Sequence, residues 1–359
     1  MAESPGIIES LCDAAADYDA SDLILHAGQA PVLRMKGSLT TLDTAPLETG
    51  DLVAFRKACG FTDSDPDHDT SFVARSGVRF RVNFLRQLGG EAVVLRRINS
   101  SMPRLENLGV PVDVLCRWAS RKSGIIVVSG PTGSGKSTTL AALLQWMNET
   151  FERHIVTIED PVEYVFTRHR CLFTQREIGI DTPSFSEGLR RALRQSPDVI
   201  FVGEVRDAVT ANIVMQAAET GHLVLTTLHT VDAGEVIERF SALFPPADRS
   251  GLLQILAGQL LGVICQRLLP SPDGKQVLAA EYLTNVGRAR QCILEADMAV
   301  LRDHMLTTSE LESCDFLRWV HRLVSEGKLT EEAAMAAVAN PAELRRRLRG
   351  IASGFAPVT

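Results

Sequence analysis

Apolar and polar residues alternate strictly over residues 78–85, in the first third of the chain. The apolar positions share one face of an extended segment, and they are Val78, Phe80, Val82 and Phe84. Residues 91–98 form a second extended run after a pair of glycines. This pattern predicts a half-buried antiparallel hairpin. We expect an N-terminal domain over residues 1–100, followed by a linker over residues 101–113 that is rich in proline and glycine.

The pattern changes beyond the linker to short apolar runs separated by helical stretches. The apolar runs cover residues 124–128, 155–158, 199–202 and 223–228, and helical spacing covers residues 138–148 and 185–194. This alternation predicts βαβ units around a largely parallel, buried sheet. After Arg239 the pattern reads as helical. We therefore expect an α/β domain over residues 114–359 that ends in a helical region.

Composition and charge argue against several classes of protein. The 359 residues carry a net charge of −7, so we expect no general attraction to nucleic acid. No run of 18 apolar residues predicts a membrane-spanning helix, and the first residues do not resemble a signal peptide. The seven cysteines include no CxxC pair, which argues against a local zinc site. Together these features predict a cytoplasmic protein.

Residues 130–137 match the complete phosphate-binding pattern G-x-x-x-x-G-K-[ST]. An apolar run precedes the match and a helical pattern follows it, which is the context that a nucleotide-binding loop requires. Lys136 is expected to neutralise β- and γ-phosphate charge, and the Ser137 hydroxyl to bind Mg²⁺. The predicted cofactors are ATP and Mg²⁺. The predicted nucleotide-binding residues are Gly130, Pro131, Thr132, Gly133, Ser134, Gly135, Lys136, Ser137 and Thr138.

Acidic residues end two of the apolar runs. Glu204 follows the run 199–202, and we expect it to hold Mg²⁺ through water. Glu159, Asp160 and Glu163 follow the run 155–158, where Pro161 ends the strand, and one of them is placed to orient an attacking water. The alternative interpretation is that these acids only solvate the strand ends.

Histidine and arginine residues supply further candidates. His222 and His229 flank the apolar run 223–228, and each has either a structural role or a role in catalysis or γ-phosphate sensing. Arg79 and Arg81 share the polar face of the predicted hairpin, where an exposed charged face is the simple explanation.

Taken together, these segments resemble the secretion-type ATPases of type IV pili and type II secretion, and most of all the pilus retraction ATPases of the PilT/PilU type. The matching segments are Ser21-Asp-Leu23, Arg79-Phe-Arg-Val-Asn83 with Arg96, the loop 130–137, an Asp box at 157–163, a Walker B box at 203–207 and a His box at 218–230. The resemblance implies a RecA-like P-loop ATPase core with an N-terminal PAS-like α+β domain. It also implies a homohexamer with ATP bound between the domains.

The resemblance assigns roles that spacing does not. It implies that Glu163 polarises the attacking water, that His229 belongs to the His box, and that Arg79, Arg81 and Arg96 reach the phosphates from the N-terminal domain. The implied function is a motor for pilus retraction and twitching motility. It would work at the cytoplasmic face of the inner membrane, with a pilus platform protein and in some systems a paralogous retraction ATPase as partners.

Two features separate the members of this family. The resemblance implies that assembly ATPases usually carry a tetracysteine zinc motif and an additional N-terminal domain, and we expect neither in this protein. The stretch Arg288–Glu295 keeps only three positions of the retraction motif, namely Arg290, Ile293 and Glu295. An accessory or nucleotide-gated ATPase of the PilU kind is therefore an alternative, as is an assembly or secretion ATPase of a related system. A nucleic-acid translocase on the same core is a third, which the acidic charge disfavours.

Overall fold

The computed structural model describes residues 6–35, 37–61, 67–88, 90–98 and 102–350. The chain divides into two compact units. Unit 1 comprises residues 1–101 together with Glu163–Val165, and unit 2 comprises the remaining residues. Across the described ranges, none of the helices combines the length and the apolar character that crossing a bilayer requires.

Unit 1 is a single antiparallel sheet with two helices. Its elements are α1 (Ile7–Asp17), β1 (Asp22–His26), β2 (Val32–Met35), β3 (Ser38–Thr41), α2 (Thr49–Ala58), β4 (His68–Val73), β5 (Arg79–Gln87) and β6 (Gly90–Arg97). The strand order is β3-β2-β1-β6-β5-β4. The predicted hairpin is β5 paired with β6, and Phe80, Val82 and Phe84 lie fully buried in the core as the alternation predicts.

Unit 2 contains a larger mixed sheet covered by helices. Its elements are α3 (Val112–Ala119), β7 (Gly124–Ser129), α4 (Lys136–Thr150), β8 (His154–Glu159), β9 (Leu172–Glu177), α5 (Phe185–Ala192), β10 (Val199–Val202), α6 (Ala208–Glu219), β11 (Leu223–Leu228), α7 (Ala233–Ala242), α8 (Arg249–Gln259), β12 (Leu260–Pro270), β13 (Gln276–Thr284), α9 (Gly287–Glu295), α10 (Met298–Thr307), β14 (Ser313–Cys314), α11 (Phe316–Ser325), α12 (Glu331–Ala337) and α13 (Pro341–Leu348). The strand order is β14-β13-β12-β7-β11-β10-β8-β9.

The central strands of unit 2 are parallel and buried on both faces. Each residue of β7, β10 and β11 is buried, which explains why these segments read as continuous apolar runs instead of alternating ones. Strand β7 pairs in parallel with β11, and β11 with β10, so their carboxyl ends meet at one edge of the sheet. Ligands in open α/β sheets bind at that edge.

The expectation of helical structure after Arg239 is wrong in part. Helices α7 and α8 are followed by the long antiparallel pair β12 and β13, which extends the sheet beyond β7. Strand β12 begins at Leu260, directly after α8 ends at Gln259, so no loop residue marks the change from helix to strand. Gly262 in β12 admits Trp118 of α3, because a Cβ at this glycine would lie 2.2 Å from the indole ring. Close helix-on-sheet packing therefore stabilises a strand that the hydrophobic pattern does not distinguish from a helix.

Residues 102–113 form the described part of the predicted linker. They contain a 3₁₀ turn at Leu105–Asn107 and the start of α3 at Val112, and they belong to unit 2.

Candidate functional site

The predicted phosphate-binding loop lies at the carboxyl edge of the unit 2 sheet. Strand β7 enters the loop at Ser129, and α4 begins at Lys136 with Gly135 as its N-cap. The Ser129 hydroxyl accepts a hydrogen bond from the Thr230 backbone N–H (2.9 Å) and lies 2.8 Å from the Thr230 carbonyl oxygen, to which it donates. These contacts fix the loop that follows β11 beside the phosphate-binding loop.

Glycine conformations shape the loop. Gly130 has φ 143°, and a Cβ there would lie 2.3 Å from the Gln266 carbonyl oxygen and 2.6 Å from Ser134 Oγ. Gly133 and Gly135 have φ 79° and 87°, in the left-handed region that glycine occupies without strain. A loop of this curvature lets successive backbone N–H groups converge on an anion at the N-terminus of α4.

The Lys136 side chain lies within this curve. It is only 9% exposed, and its Nζ donates to the carbonyl oxygens of Gly130 (2.8 Å) and Pro131 (3.0 Å). The same Nζ lies 3.5 Å from His229 Nδ1. The ammonium is therefore held at the centre of the loop, where a bound phosphate would meet it.

The donors present fit a nucleoside triphosphate with Mg²⁺. Ser134 Oγ is buried and has no hydrogen-bond partner among the described residues, so a buried donor is available in the loop. Ser137 and Thr138 open α4, where the helix dipole favours an anion. The described ranges contain no group of three or more His, Cys, Asp or Glu placed to hold a metal ion. Mg²⁺ keeps several waters and binds substrate phosphates with few protein ligands.

Glu204 lies beyond the end of β10, and its carboxylate faces one arginine and one histidine side chain. Its side chain is 13% exposed; Oε1 lies 2.5 Å from Arg206 Nη2, and Oε2 lies 3.6 Å from His229 Nε2. His229 follows β11, and its imidazole lies between the Walker B carboxylate of Glu204 and the Walker A lysine, Lys136. A cavity of about 560 Å³ adjoins this contact, and its lining includes Glu204, Arg206, Thr227, His229 and Arg239.

The two histidines of the predicted His box lie at opposite ends of β11. His222 Nδ1 lies 2.9 Å from the Ala217 carbonyl oxygen, and the His222 carbonyl accepts from the Gly124 N–H. These contacts tie His222 to the end of α6 and to the start of β7. His229 is the histidine that the fold brings to Lys136 and Glu204.

The three acids after β8 lie in different environments. Glu159 ends the strand and is buried, and it accepts a hydrogen bond from Thr157 Oγ1 (2.6 Å). Asp160 is exposed beside Pro161, where the strand stops as predicted. Glu163 lies in the irregular segment between β8 and β9, is exposed, and groups with unit 1.

The three candidate arginines share the outer face of the unit 1 sheet. Arg81 pairs with Arg96 across β5 and β6, and Arg79 lies two residues from Arg81. Arg96 Nε donates to Asp22 Oδ1 (2.8 Å), and Arg79 Nη2 donates to Ser71 Oγ (2.9 Å). This face therefore carries a row of cations, and neighbouring polar groups hold the side chains of Arg79 and Arg96.

Sequence reasoning gave no role to two residues that the structure places in the site. Arg206 lies within the Walker B box but only the fold shows that it pairs with Glu204. Gln266 on β12 packs its backbone against Gly130, and its side-chain Nε2 donates to Thr139 Oγ1 in α4 (2.8 Å). No motif in the sequence points to Gln266, whereas the position of Arg206, two residues after Glu204, could have suggested a role.

Comparison with known proteins agrees with this geometry. Residues 66–334 match the family model of type II/IV secretion system proteins. The chain is 38% identical over 334 residues to the type IV pilus retraction ATPase PilT of Pseudomonas aeruginosa, covering 91% of this chain and 96% of that one. It is 36% identical over 349 residues to the type IV pilus ATPase PilU of the same organism, covering 95% and 91%.

A solved structure gives the same result at the level of the fold. The crystal structure of the pilus retraction motor PilT with bound ADP superposes with a TM-score of 0.86 at 38% identity, covering 94% of this chain and 99% of that chain. The predicted fold class, a RecA-like P-loop core with a PAS-like α+β domain, is confirmed. The prediction of an ATPase similar to the pilus retraction enzymes is also confirmed, and the chain belongs to the family of type II/IV secretion system proteins.

Proposed function

We propose that this chain is an ATP-hydrolysing motor subunit that works as a homohexameric ring and drives retraction of a type IV pilus from the cytoplasmic face of the inner membrane. The observation that carries the proposal is the contact series from Lys136 through His229 to Glu204, which joins both halves of a P-loop ATPase site. The similarity to PilT along nearly the whole chain supports the assignment to pilus retraction.

The roles of the residues follow from their chemistry. The ammonium of Lys136 leaves the Gly130 and Pro131 carbonyls and neutralises the charge of the β- and γ-phosphates. Ser134 and the backbone N–H groups of the loop orient the phosphates. The Ser137 hydroxyl and, through water, the Glu204 carboxylate would hold Mg²⁺, which would neutralise the charge that develops during phosphoryl transfer. His229, in contact with both Lys136 and Glu204, is placed to sense the γ-phosphate.

The remaining predicted roles belong to residues of unit 1 and the segment that groups with it. We propose that Glu163 orients and polarises the attacking water, and that Arg79, Arg81 and Arg96 reach the phosphates. A cation supplied by a moving domain makes domain position depend on the phosphate state, which couples hydrolysis to mechanical work. The proposed partners are further copies of this chain, an inner-membrane pilus platform protein and a paralogous retraction ATPase.

Steady-state phosphate release tests the assignment of the site. We expect Lys136→Ala and Glu204→Ala each to reduce turnover by about a hundredfold or more, because each removes charge stabilisation that the transition state needs. Lys122→Ala is the matched control, since Lys122 is an exposed lysine before β7, and it should hydrolyse ATP like the wild type. Normal turnover of the Lys136→Ala protein would refute the site.

A second candidate function is an accessory, nucleotide-gated ATPase of the PilU kind. The nearly equal identity to PilT and PilU, 38% and 36%, favours keeping it. Wild-type turnover as low as that of Glu163→Ala would support this alternative. Deleting the gene separates the cellular roles: extra pili that do not retract indicate a retraction motor, and loss of pili indicates an assembly ATPase.

A further inference from the structure

The ion pair between Glu204 and Arg206 places a cation on the carboxylate that is expected to serve Mg²⁺. The two residues are only two positions apart, and Nη2 lies 2.5 Å from Oε1. The second oxygen, Oε2, faces the His229 imidazole at 3.6 Å. Arg206 therefore occupies Oε1, whereas Oε2 faces the imidazole beyond hydrogen-bond distance.

An ion pair on this carboxylate weakens its attraction for a metal-bound water. A water molecule on Mg²⁺ donates its protons, so the carboxylate that holds it must offer an oxygen as an acceptor. The guanidinium of Arg206 occupies Oε1 through an ion pair, and its positive charge opposes a nearby dication. Arg206 and hydrated Mg²⁺ thus compete for the same carboxylate.

The surroundings permit the arginine side chain to leave. Arg206 is 69% exposed and lines the cavity of about 560 Å³ beside Glu204, which has room for a displaced guanidinium. Its backbone is held, because Asp207 caps α6 by accepting a hydrogen bond from the Thr210 N–H (2.8 Å). Only the side chain of Arg206 has to move, so release of Glu204 does not require rearrangement of the strand end.

We propose that Arg206 is a positioning residue that holds Glu204 in a metal-free arrangement and is displaced when Mg²⁺ binds together with nucleotide. The pair acts as a latch on the Walker B carboxylate and lowers the affinity for Mg²⁺ until nucleotide is present. This inference rests on the proposed function, because it assigns the metal role to Glu204.

Calorimetric titration with ADP tests the latch without any turnover. The dissociation constant for ADP is measured in excess Mg²⁺ and in excess EDTA, and the ratio gives the Mg²⁺-dependent gain in affinity. We expect Arg206→Ala to increase this gain by about two- to fivefold, the range expected for loss of one partly exposed ion pair, with the EDTA value unchanged. Arg206→Lys, which keeps a cation, should restore most of the wild-type gain.

Two comparisons show whether the effect passes through Glu204. Arg239→Ala is the matched control, because Arg239 lines the same cavity and no ion pair in the described residues joins it to Glu204. Its Mg²⁺ gain should equal that of the wild type. In a Glu204→Gln background, Arg206→Ala should have no effect on the gain, since the carboxylate that the latch controls is absent.

The results that would overturn the latch differ from those that would overturn the proposed function. An unchanged or smaller Mg²⁺ gain in Arg206→Ala, with wild-type protein binding ADP in a Lys136-dependent manner, would overturn the latch and leave the proposed function intact. Absence of ADP binding by the wild type would overturn both. If Arg206→Ala fails to fold, Arg206→Gln serves in its place, since the shorter amide keeps a polar side chain without the charge.

Discussion

The buried carboxyl group of Glu281 makes the stability of unit 2 depend on pH. Glu281 lies on β13 and accepts a hydrogen bond from the Ala233 N–H at the start of α7 (2.8 Å). The pKa of this carboxyl is raised from 4.5 to about 7, mainly by burial and also by the charges of Asp232 and Asp315, against two backbone hydrogen bonds that lower it. Glu281 lines a cavity of about 300 Å³, and Arg267 and Arg302 line this cavity too.

The sign and size of the effect follow from linkage. Between pH 4.5 and about 7 the folded chain keeps a proton on Glu281 that the unfolded chain has released. The free energy of unfolding therefore falls as pH rises through this window, by about 1.4 kcal/mol for each unit by which the pKa is raised. The total loss is on the order of 3 kcal/mol: the stabilising contribution is fully present below the unfolded pKa and is gone above the folded pKa.

Urea unfolding followed by tryptophan fluorescence measures this loss, because all three tryptophans lie in unit 2. Glu281→Gln replaces the ionisable group by an amide of similar shape, so its stability should lack the decline that the wild type shows across the window. Glu238→Gln, at an exposed site on α7, is the matched control and should decline like the wild type. Equal pH slopes for wild type and Glu281→Gln would refute the reasoning.

Three further changes have expected outcomes. Gly130→Ala forces a Cβ to within 2.3 Å of the Gln266 carbonyl, so it should destabilise unit 2 by about 1–3 kcal/mol and weaken ADP binding, as urea unfolding and calorimetry would measure; wild-type values for both would contradict this. Asp207→Ala removes the N-cap of α6 and should cost about 1 kcal/mol in urea, whereas an unchanged midpoint would show that the cap contributes nothing. Burial raises the pKa of the Cys12 and Cys314 thiols to about 12, so both should resist a thiol reagent near neutral pH until the protein is denatured, and rapid labelling of either in the native state would count against their burial.

The parallel core was predictable because its signal is local. Apolar runs for β10 and β11 coincide with the observed strands, since a strand buried on both faces contains few polar residues. The helix after the phosphate-binding loop was predicted from residue 138 and begins at Lys136, because the last loop residues already adopt helical geometry. The loop itself is recognisable because its glycine positions and its lysine are fixed by the anion that they surround.

What the sequence did not reveal depends on contacts between distant segments. The pair β12 and β13 was missed, because Trp118 packing on Gly262 selects a strand where the local pattern also permits a helix. Likewise His222 and His229 are equivalent by pattern, and only the direction of β11 determines which of them reaches Lys136. The roles of Glu163 and of the arginines stay predictions, as do the extents of the domains.

The most direct test of the central claim is the stoichiometry and affinity of ADP in the presence of Mg²⁺, measured by calorimetry on the wild type and on Lys136→Ala. The account predicts one site per chain in the wild type and in the exposed-lysine control Lys122→Ala, with binding lost in Lys136→Ala. Equal ADP binding by the wild type and Lys136→Ala would contradict it.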